Sequence, residues 1–401
     1  MLKKYLKAFC PLIAFTLTTE TIAAFTKKEV INKHEEVTQL SKTIIPFENQ
    51  NGSIILTVKI NDFKRPLRLL FDTGADGMAL SQSLADEIGL KITRENNASV
   101  VGGNTKIKIS DGNKVQLGDL QLDNMGIAIF PNLGRDHCDG IIGNTLLRRY
   151  LTYIDYDNSQ IVLSKFEEFQ PPVQTTAIPI DLSSGVMLLP GQLEIVKGKS
   201  YAGHFVFDTG ASYDLICFRP FVRQNRLLVS GFKPEFQAAT VSMGTTSPTF
   251  YGKSYQFTIP SLQAVEKLPV TLMGGSGDNE NWNPGADGSI GVRLLSRYNI
   301  TINTAANQIY LSPNRLHTYP QDFTLKKYQF GWDNQGYLNI ISNIGAEQIN
   351  ELASGKRVAG IANYSDKQLQ KDPKLITDLL LKVQSETITI QLDNNKTITL
   401  E

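Results

Sequence analysis

The chain carries the same five residues twice, Phe71-Asp72-Thr73-Gly74-Ala75 and Phe207-Asp208-Thr209-Gly210-Ala211. Each copy ends an apolar run, Leu67-Arg68-Leu69-Leu70 in one case and His204-Phe205-Val206 in the other. Two duplicated carboxylates in matching settings suggest one two-fold site in which Asp72 faces Asp208. Carboxylates held about 3 Å apart cannot both ionise, so the pair shares one proton. The charged member draws a proton from water as general base, and the protonated member hydrogen-bonds a carbonyl under attack. The expected chemistry is amide hydrolysis by activated water. Thr73 and Thr209 can bond across to the partner loop, and Gly74 and Gly210 allow a tight turn whose N–H faces the carboxylate.

These residues need strands to carry them, and the surrounding texture supplies them. Ser53–Ile60 and Leu67–Phe71 alternate as strands, with Asn61-Asp62 between them, and Ser81 caps a short helix that Gly89 closes. Thr105–Ile109, Lys114–Leu117 and Gly126–Phe130 read as further strands. A helical Asn144–Tyr150 leads to strands Leu151–Tyr156 and Gln160–Ser164. Downstream of each triplet lies an Asp-Gly-x-Ile-Gly string, Asp139 to Gly143 and Asp287 to Gly291. The triplet aspartates are 136 residues apart and those of the strings 148 apart, which makes a duplicated lobe with an insertion near residues 274–285. The expected divisions are a leader over 1–24, a spacer over 25–45, lobes over 46–170 and 171–318, and a third unit over 319–401. Pro171-Pro172 and the region from Pro313 to Asp322 act as linkers.

Composition narrows the function. With 40 Lys and Arg against 39 Asp and Glu the 401-residue chain is nearly neutral, so no nucleic-acid partner is expected. Lys3, Lys4 and Lys7, the apolar run from Ala8 to Leu17 and the small residues near Ala23-Ala24 predict a secretory signal. An uncleaved anchor is the alternative. The protein is then secreted or periplasmic, with no stable membrane span once the leader is cut. Cys138 and Cys217 are expected as two thiols rather than a disulfide framework. His34, His137, His204 and His317 lack ligand spacing, so neither a metal nor any other cofactor is expected.

With these motifs in place, the chain resembles the aspartic proteases, specifically the retropepsin-like group with both lobes fused. Phe71 to Asp76 is similar to the retroviral protease motif. Ile141-Ile142-Gly143 and Ser289-Ile290-Gly291 are similar to the string that crosses behind its active-site loop. The resemblance covers about residues 46–315. It implies a mainly β, bilobal pepsin/retropepsin-like fold, a peptide or protein substrate and a monomer. Asp72 and Asp208 become the catalytic pair, Thr73 and Thr209 the interlocking contact, and Asp76 a residue that binds substrate backbone. Ser212 stands in Asp76's place in the second copy, so the two sides of the cleft should differ. Pepsin-like enzymes place a hydroxyl after the triplet, where it favours the ionised aspartate. Ala75 and Ala211 remove it, so a working pH of around 5–7 is expected. Val100 to Thr105 and Ser242 to Thr246 are candidate flap tips.

Residues 319–401 resemble a small α+β PDZ-like domain. A hairpin over Gly331–Ile341, a helix over Ala346–Ala353 and a strand over Arg357–Ile361 are expected. A helix over Leu375–Val383 and a closing hairpin around Asp393-Asn394-Asn395 follow. Peptide capture there by strand addition is an open use, because Gly355-Lys356 departs from the usual carboxylate-binding loop. The alternative to an aspartic endopeptidase is a catalytically silent peptide-binding or scaffold protein that keeps the fold. A nucleophilic hydrolase lacks its Gly-x-Ser-x-Gly elbow.

Overall fold

Alternation along the strands decides the architecture. Ser53–Ile60 buries Ile54, Leu56, Val58 and Ile60 while Thr57 and Lys59 face outward, the period-two pattern of a sheet with one face on a core. The computed structural model describes residues 42–101, 103–133, 138–242, 245–275, 282–343, 349–382 and 387–400. The leader expected over 1–24 lies outside them. The chain is mainly β, with two lobes and a C-terminal sheet that together form one compact unit.

The first lobe is an eight-stranded sheet in which Leu67–Phe71 runs parallel to Gly140–Ile142, pairing Leu70 with Ile141. Gly140–Ile142 is in turn antiparallel to Met78–Ser81. The second lobe repeats the arrangement in a nine-stranded sheet. There Lys199–Phe207 is parallel to Gly288–Ile290, pairing Val206 with Ser289, and Leu215–Cys217 is antiparallel to the same strand. Each downstream string is therefore the strand beside the one that ends in a triplet aspartate. Its leading acid fastens the pair: Asp139 Oδ2 accepts from the Arg68 N–H at 2.8 Å, and Asp287 Oδ2 from the His204 N–H at 2.8 Å.

A third, six-stranded sheet joins the lobes. Leu151–Asp155 of the first pairs antiparallel with Tyr298–Asn303 of the second, setting Tyr153 opposite Thr301. Its outer strands are Thr43–Pro46 and Ile178–Pro179. Among the described residues the first strand starts at Thr43, inside the expected spacer, and Ile45 buries against this sheet. Asn144–Tyr150 forms successive turns rather than a helix. The strands expected over Thr105–Ile109 and Lys114–Leu117 are one, Gly103–Leu117, whose register shifts between Ser110 and Val115 absorb the intervening turn signal. The expected helix Gln82–Ile88 has Ser81 as its N-cap and Gly89, at φ 78°, as its left-handed C-cap.

The C-terminal sheet spans Phe323 to Leu400 and covers one face with helices Asp366–Lys371 and Pro373–Lys382. Phe323, Phe330, Trp332 and Ile390 centre its core. Of the helix expected over Ala346–Ala353, residues 346–348 lie outside the described residues, and Asn350–Leu352 is a 3₁₀ turn. Cys138 and Cys217 are not joined by a disulfide, and Cys217 is buried.

Where this sheet meets the second lobe, four ionisable side chains are buried together. Asp322 accepts from Arg293 Nε at 2.6 Å and Nη2 at 2.9 Å, and from Arg297 Nη2 at 3.5 Å. Asp214 is buried beside them, and among the described residues no other side chain hydrogen-bonds its carboxyl. Burial, and next the negative charge of Asp322, push the Asp214 acid up to about 8 against the pull of Arg293 and Arg297. Between pH about 4 and about 8 the folded state keeps a proton that the unfolded chain has lost, so this group's contribution to stability falls as pH rises through that window. Asp214→Asn should flatten that fall. Urea denaturation of both proteins from pH 4.5 to pH 8 checks it, with the difference growing in favour of the variant toward the alkaline end.

Candidate active site

The two triplet loops meet at the lobe interface and bind each other reciprocally. Thr73 Oγ1 donates to the Phe207 carbonyl at 2.5 Å and accepts from the Thr209 N–H at 3.0 Å. Thr209 Oγ1 donates to the Phe71 carbonyl at 2.8 Å and accepts from the Thr73 N–H at 3.1 Å. Both threonines are fully buried. A hydroxyl is the group that fits here, since one atom must both give and take a hydrogen bond.

This crossing brings the aspartates together. Gly74 N–H donates to Asp72 Oδ1 at 2.9 Å and Gly210 N–H to Asp208 Oδ1 at 3.0 Å. Each carboxyl also lies against the glycine of the opposite loop. A Cβ on Gly74 would stand 2.7 Å from Asp208 Cγ, and one on Gly210 would overlap the Asp72 carboxyl. Glycine is needed at both positions because no side chain fits between the loops. Behind them the strings hold the backbone: Asp72 N–H donates to the Ile142 carbonyl and Asp208 N–H to the Ile290 carbonyl, both at 3.0 Å.

Of the residues singled out in the sequence, Asp72, Thr73, Gly74, Asp208, Thr209 and Gly210 converge at this point. Asp76 and Ser212 stand exposed one turn further along each loop. Asp76 forms an ion pair with Arg148, whose guanidinium also donates to the Gly185 carbonyl at 3.2 Å. Ser212 occupies the corresponding place with no carboxylate to offer, so the two rims differ in charge. Both flap candidates are hairpins, Arg94–Val100 with Gly103–Leu117 and Phe236–Ser242 with Thr245–Lys253. The second tip, 243–244, lies outside the described residues. In the first, Val100 joins the apolar cluster of Ala79, Phe130 and Ile141, while Val101 packs on the second lobe's cluster of Leu188, Met273 and Trp282. One hairpin tip therefore contributes to the apolar ground on both sides.

One residue escaped the sequence reading. Ser289 Oγ donates to Asp208 Oδ2 at 2.9 Å. The hydroxyl that Ala75 and Ala211 remove from the loop position is supplied to Asp208 from the neighbouring strand instead. The argument from those alanines to a milder working pH therefore does not extend to Asp208. The signal was present: Ser289 is the polar member of a string whose first copy has Ile141. Among the described residues no group of three or more His, Cys, Asp or Glu is placed to hold a metal, and no helix is long and apolar enough to cross a membrane.

Residues 56–146 match the aspartyl protease family profile. The match contains the first triplet, its hairpin and the string ending at Gly143. Among solved structures the chain is similar to the crystal structure of an aspartic proteinase from Irpex lacteus, at 15% identity and a TM-score of 0.42, over 68% of this chain and 98% of that one. No match was found among the curated proteins.

The threonine crossing carries a stability cost that can be measured. Thr73→Val strands the Phe207 carbonyl and the Thr209 N–H in a buried setting, for about 2–5 kcal/mol. Thr209→Val should cost a similar amount. The double variant should fall short of the sum, because both changes dismantle one network. Chemical denaturation of the three variants reads both effects.

Proposed function

We propose that the protein is an aspartic endopeptidase that cleaves peptide bonds with a water molecule held between Asp72 and Asp208. The observation that carries this reading is the convergence of two Asp-Thr-Gly loops, each with its aspartate fixed by its own glycine N–H and locked to the other by Thr73 and Thr209. Preorganised carboxylates of this kind suit general acid–base catalysis and need no nucleophile or metal.

The roles divide by environment. Ser289 favours negative charge on Asp208, since a hydroxyl donated to a carboxylate stabilises the ionised form. Asp208 takes the proton from the attacking water, and Asp72 holds the shared proton and gives it to the carbonyl oxygen. The tetrahedral intermediate then collapses as Asp208 gives the proton it took from water to the departing amine, while Asp72 takes back the proton of one hydroxyl of the intermediate, which restores the pair. Asp76 and Ser212 lie where an extended peptide would pass, and Val100 and Val101 of the first hairpin would close over it. The secretory leader over 1–24, a secreted or periplasmic location, a monomeric state and the PDZ-like character of 319–401 belong to the same proposal. A scaffold without turnover is less well supported, because both triplets keep every group the chemistry uses.

Asp72→Asn and Asp208→Asn should each reduce peptide hydrolysis by about 10³-fold or more while leaving the protein folded. A peptide library analysed by mass spectrometry is the readout, and activity retained in either variant contradicts the shared-proton mechanism. Ser289→Ala should move the acid-side fall of the kcat/KM profile upward in pH, because the ionised carboxylate loses a hydrogen bond. A profile that stays in place removes Ser289 from the mechanism.

A further inference from the structure

The two catalytic loops are supported differently, and the difference leads out of the lobes. In the first, backbone bonds from Gly143 N–H to the Gly77 carbonyl at 3.1 Å and from Asn144 N–H to the Ala75 carbonyl at 3.0 Å are joined by a side chain: Asn144 Nδ2 donates to the Thr73 carbonyl at 3.1 Å and to the Gly185 carbonyl at 3.2 Å. The corresponding residue in the second lobe is Val292, which has no donor on its side chain. There the loop is held through backbone bonds from Val292 N–H to the Ala211 carbonyl at 2.8 Å, Arg293 N–H to the Tyr213 carbonyl at 3.1 Å, and Gly291 N–H to the Asp214 carbonyl at 2.9 Å.

Arg293 is the link that matters, since its position in the first lobe is taken by Thr145. Its guanidinium is 1% exposed and is gripped from outside the lobe. Besides the two bonds to Asp322, Nη2 reaches the Trp332 carbonyl of the C-terminal sheet at 3.5 Å and Nη1 the Asn51 carbonyl of the first lobe at 2.8 Å. Arg297, on the same short segment, donates to the carbonyls of Leu316, Tyr319 and Pro320. A second tie joins Thr324 Oγ1 to the Tyr251 hydroxyl at 3.2 Å. An unpaired buried arginine is strongly disfavoured, so removing Asp322 must shift the segment that carries it.

We propose that the C-terminal sheet is a built-in positioning device for the catalytic loop of the second lobe, acting through Asp322 and Arg293. The proposal rests on the peptidase reading for its consequence in rate, but not for its mechanical content. Asp322 and Arg293 are positioning residues: they touch no substrate, and they fix residues 211–214, which follow Asp208. The sheet is then part of the active-site frame rather than a tethered module. Anything that disturbs its contact at Asp322 and Trp332 alters turnover.

The test uses the full chain with Asp322→Asn, which keeps the volume and loses the charge, and Arg293→Lys, which keeps the charge and loses the fork. In folded protein, below the midpoint of each variant's thermal transition, Asp322→Asn should lower kcat about tenfold or more with KM within about threefold. Arg293→Lys should fall between this variant and the wild type. Amide hydrogen exchange should quicken over residues 208–216 and stay unchanged over 72–78. Wild-type kcat per folded molecule together with unchanged exchange over 208–216 overturns the proposal. Should Asp322→Asn fail to fold, Arg293→Lys decides by the same two readouts. If the wild type cleaves no peptide, or Asp208→Asn still does, the peptidase reading fails while the exchange data still decide the coupling.

Discussion

The structure turns on two threonine hydroxyls, each of which gives one hydrogen bond and takes one across the lobe interface. They are buried, so each pairing is formed in a setting where leaving a partner unmade is costly. Nearly every other feature of the site presupposes this crossing. The glycines at positions 74 and 210 are tolerated, and required, because the loops approach until each carboxyl rests on the opposite backbone. The strings ending at Gly143 and Gly291 press on the loops from behind, and the shared six-stranded sheet keeps the lobes from drifting apart. Duplication builds the interface economically: one loop design, used twice, is its own complement.

Function then asks for the symmetry to be broken, and the chain breaks it at three levels. Beside the carboxylates, Ser289 stands where the first lobe has Ile141. Along the rim, Asp76 with its Arg148 partner in the first copy is replaced by Ser212, which carries no charge, in the second. In the support, Asn144 serves the first loop directly, while the second is held through the segment that carries Arg293. The two carboxylates thus begin from the same loop and end in unlike surroundings, which suits the proposed division between base and acid.

Much of this was legible in the sequence, and the limits have physical causes. The paired triplets, the strings behind them and the helix from Gln82 to Ile88 are short-range patterns, in which spacing and capping residues are themselves the signal. The β lobes follow from period-two burial in strands such as Ser53–Ile60. The misreadings arise where tertiary contacts decide. Asn144–Tyr150 carries helix-forming residues but is bent into turns by its bonds to the Ala75 and Gly185 backbone. Gly112 invites a break, yet the strand Gly103–Leu117 runs through it by shifting register. The Asp214, Arg293, Arg297 and Asp322 cluster joins residues up to 108 positions apart, and no local pattern distinguishes them from ordinary surface charges. Ser289 is visible in its string, but a serine among apolar residues carries no sign of its role until the aspartate beside it is seen.

Single-turnover cleavage of a peptide in ¹⁸O-labelled water, quenched at intervals and read by mass spectrometry of product and intact protein, bears most directly on water attack between Asp72 and Asp208. One ¹⁸O atom should enter the new product carboxyl, with the protein at its unmodified mass at every time point. An adduct on the protein, or ¹⁸O in the carboxyl of Asp72 or Asp208 after turnover, would contradict it, because either requires an aspartate to have attacked the peptide itself.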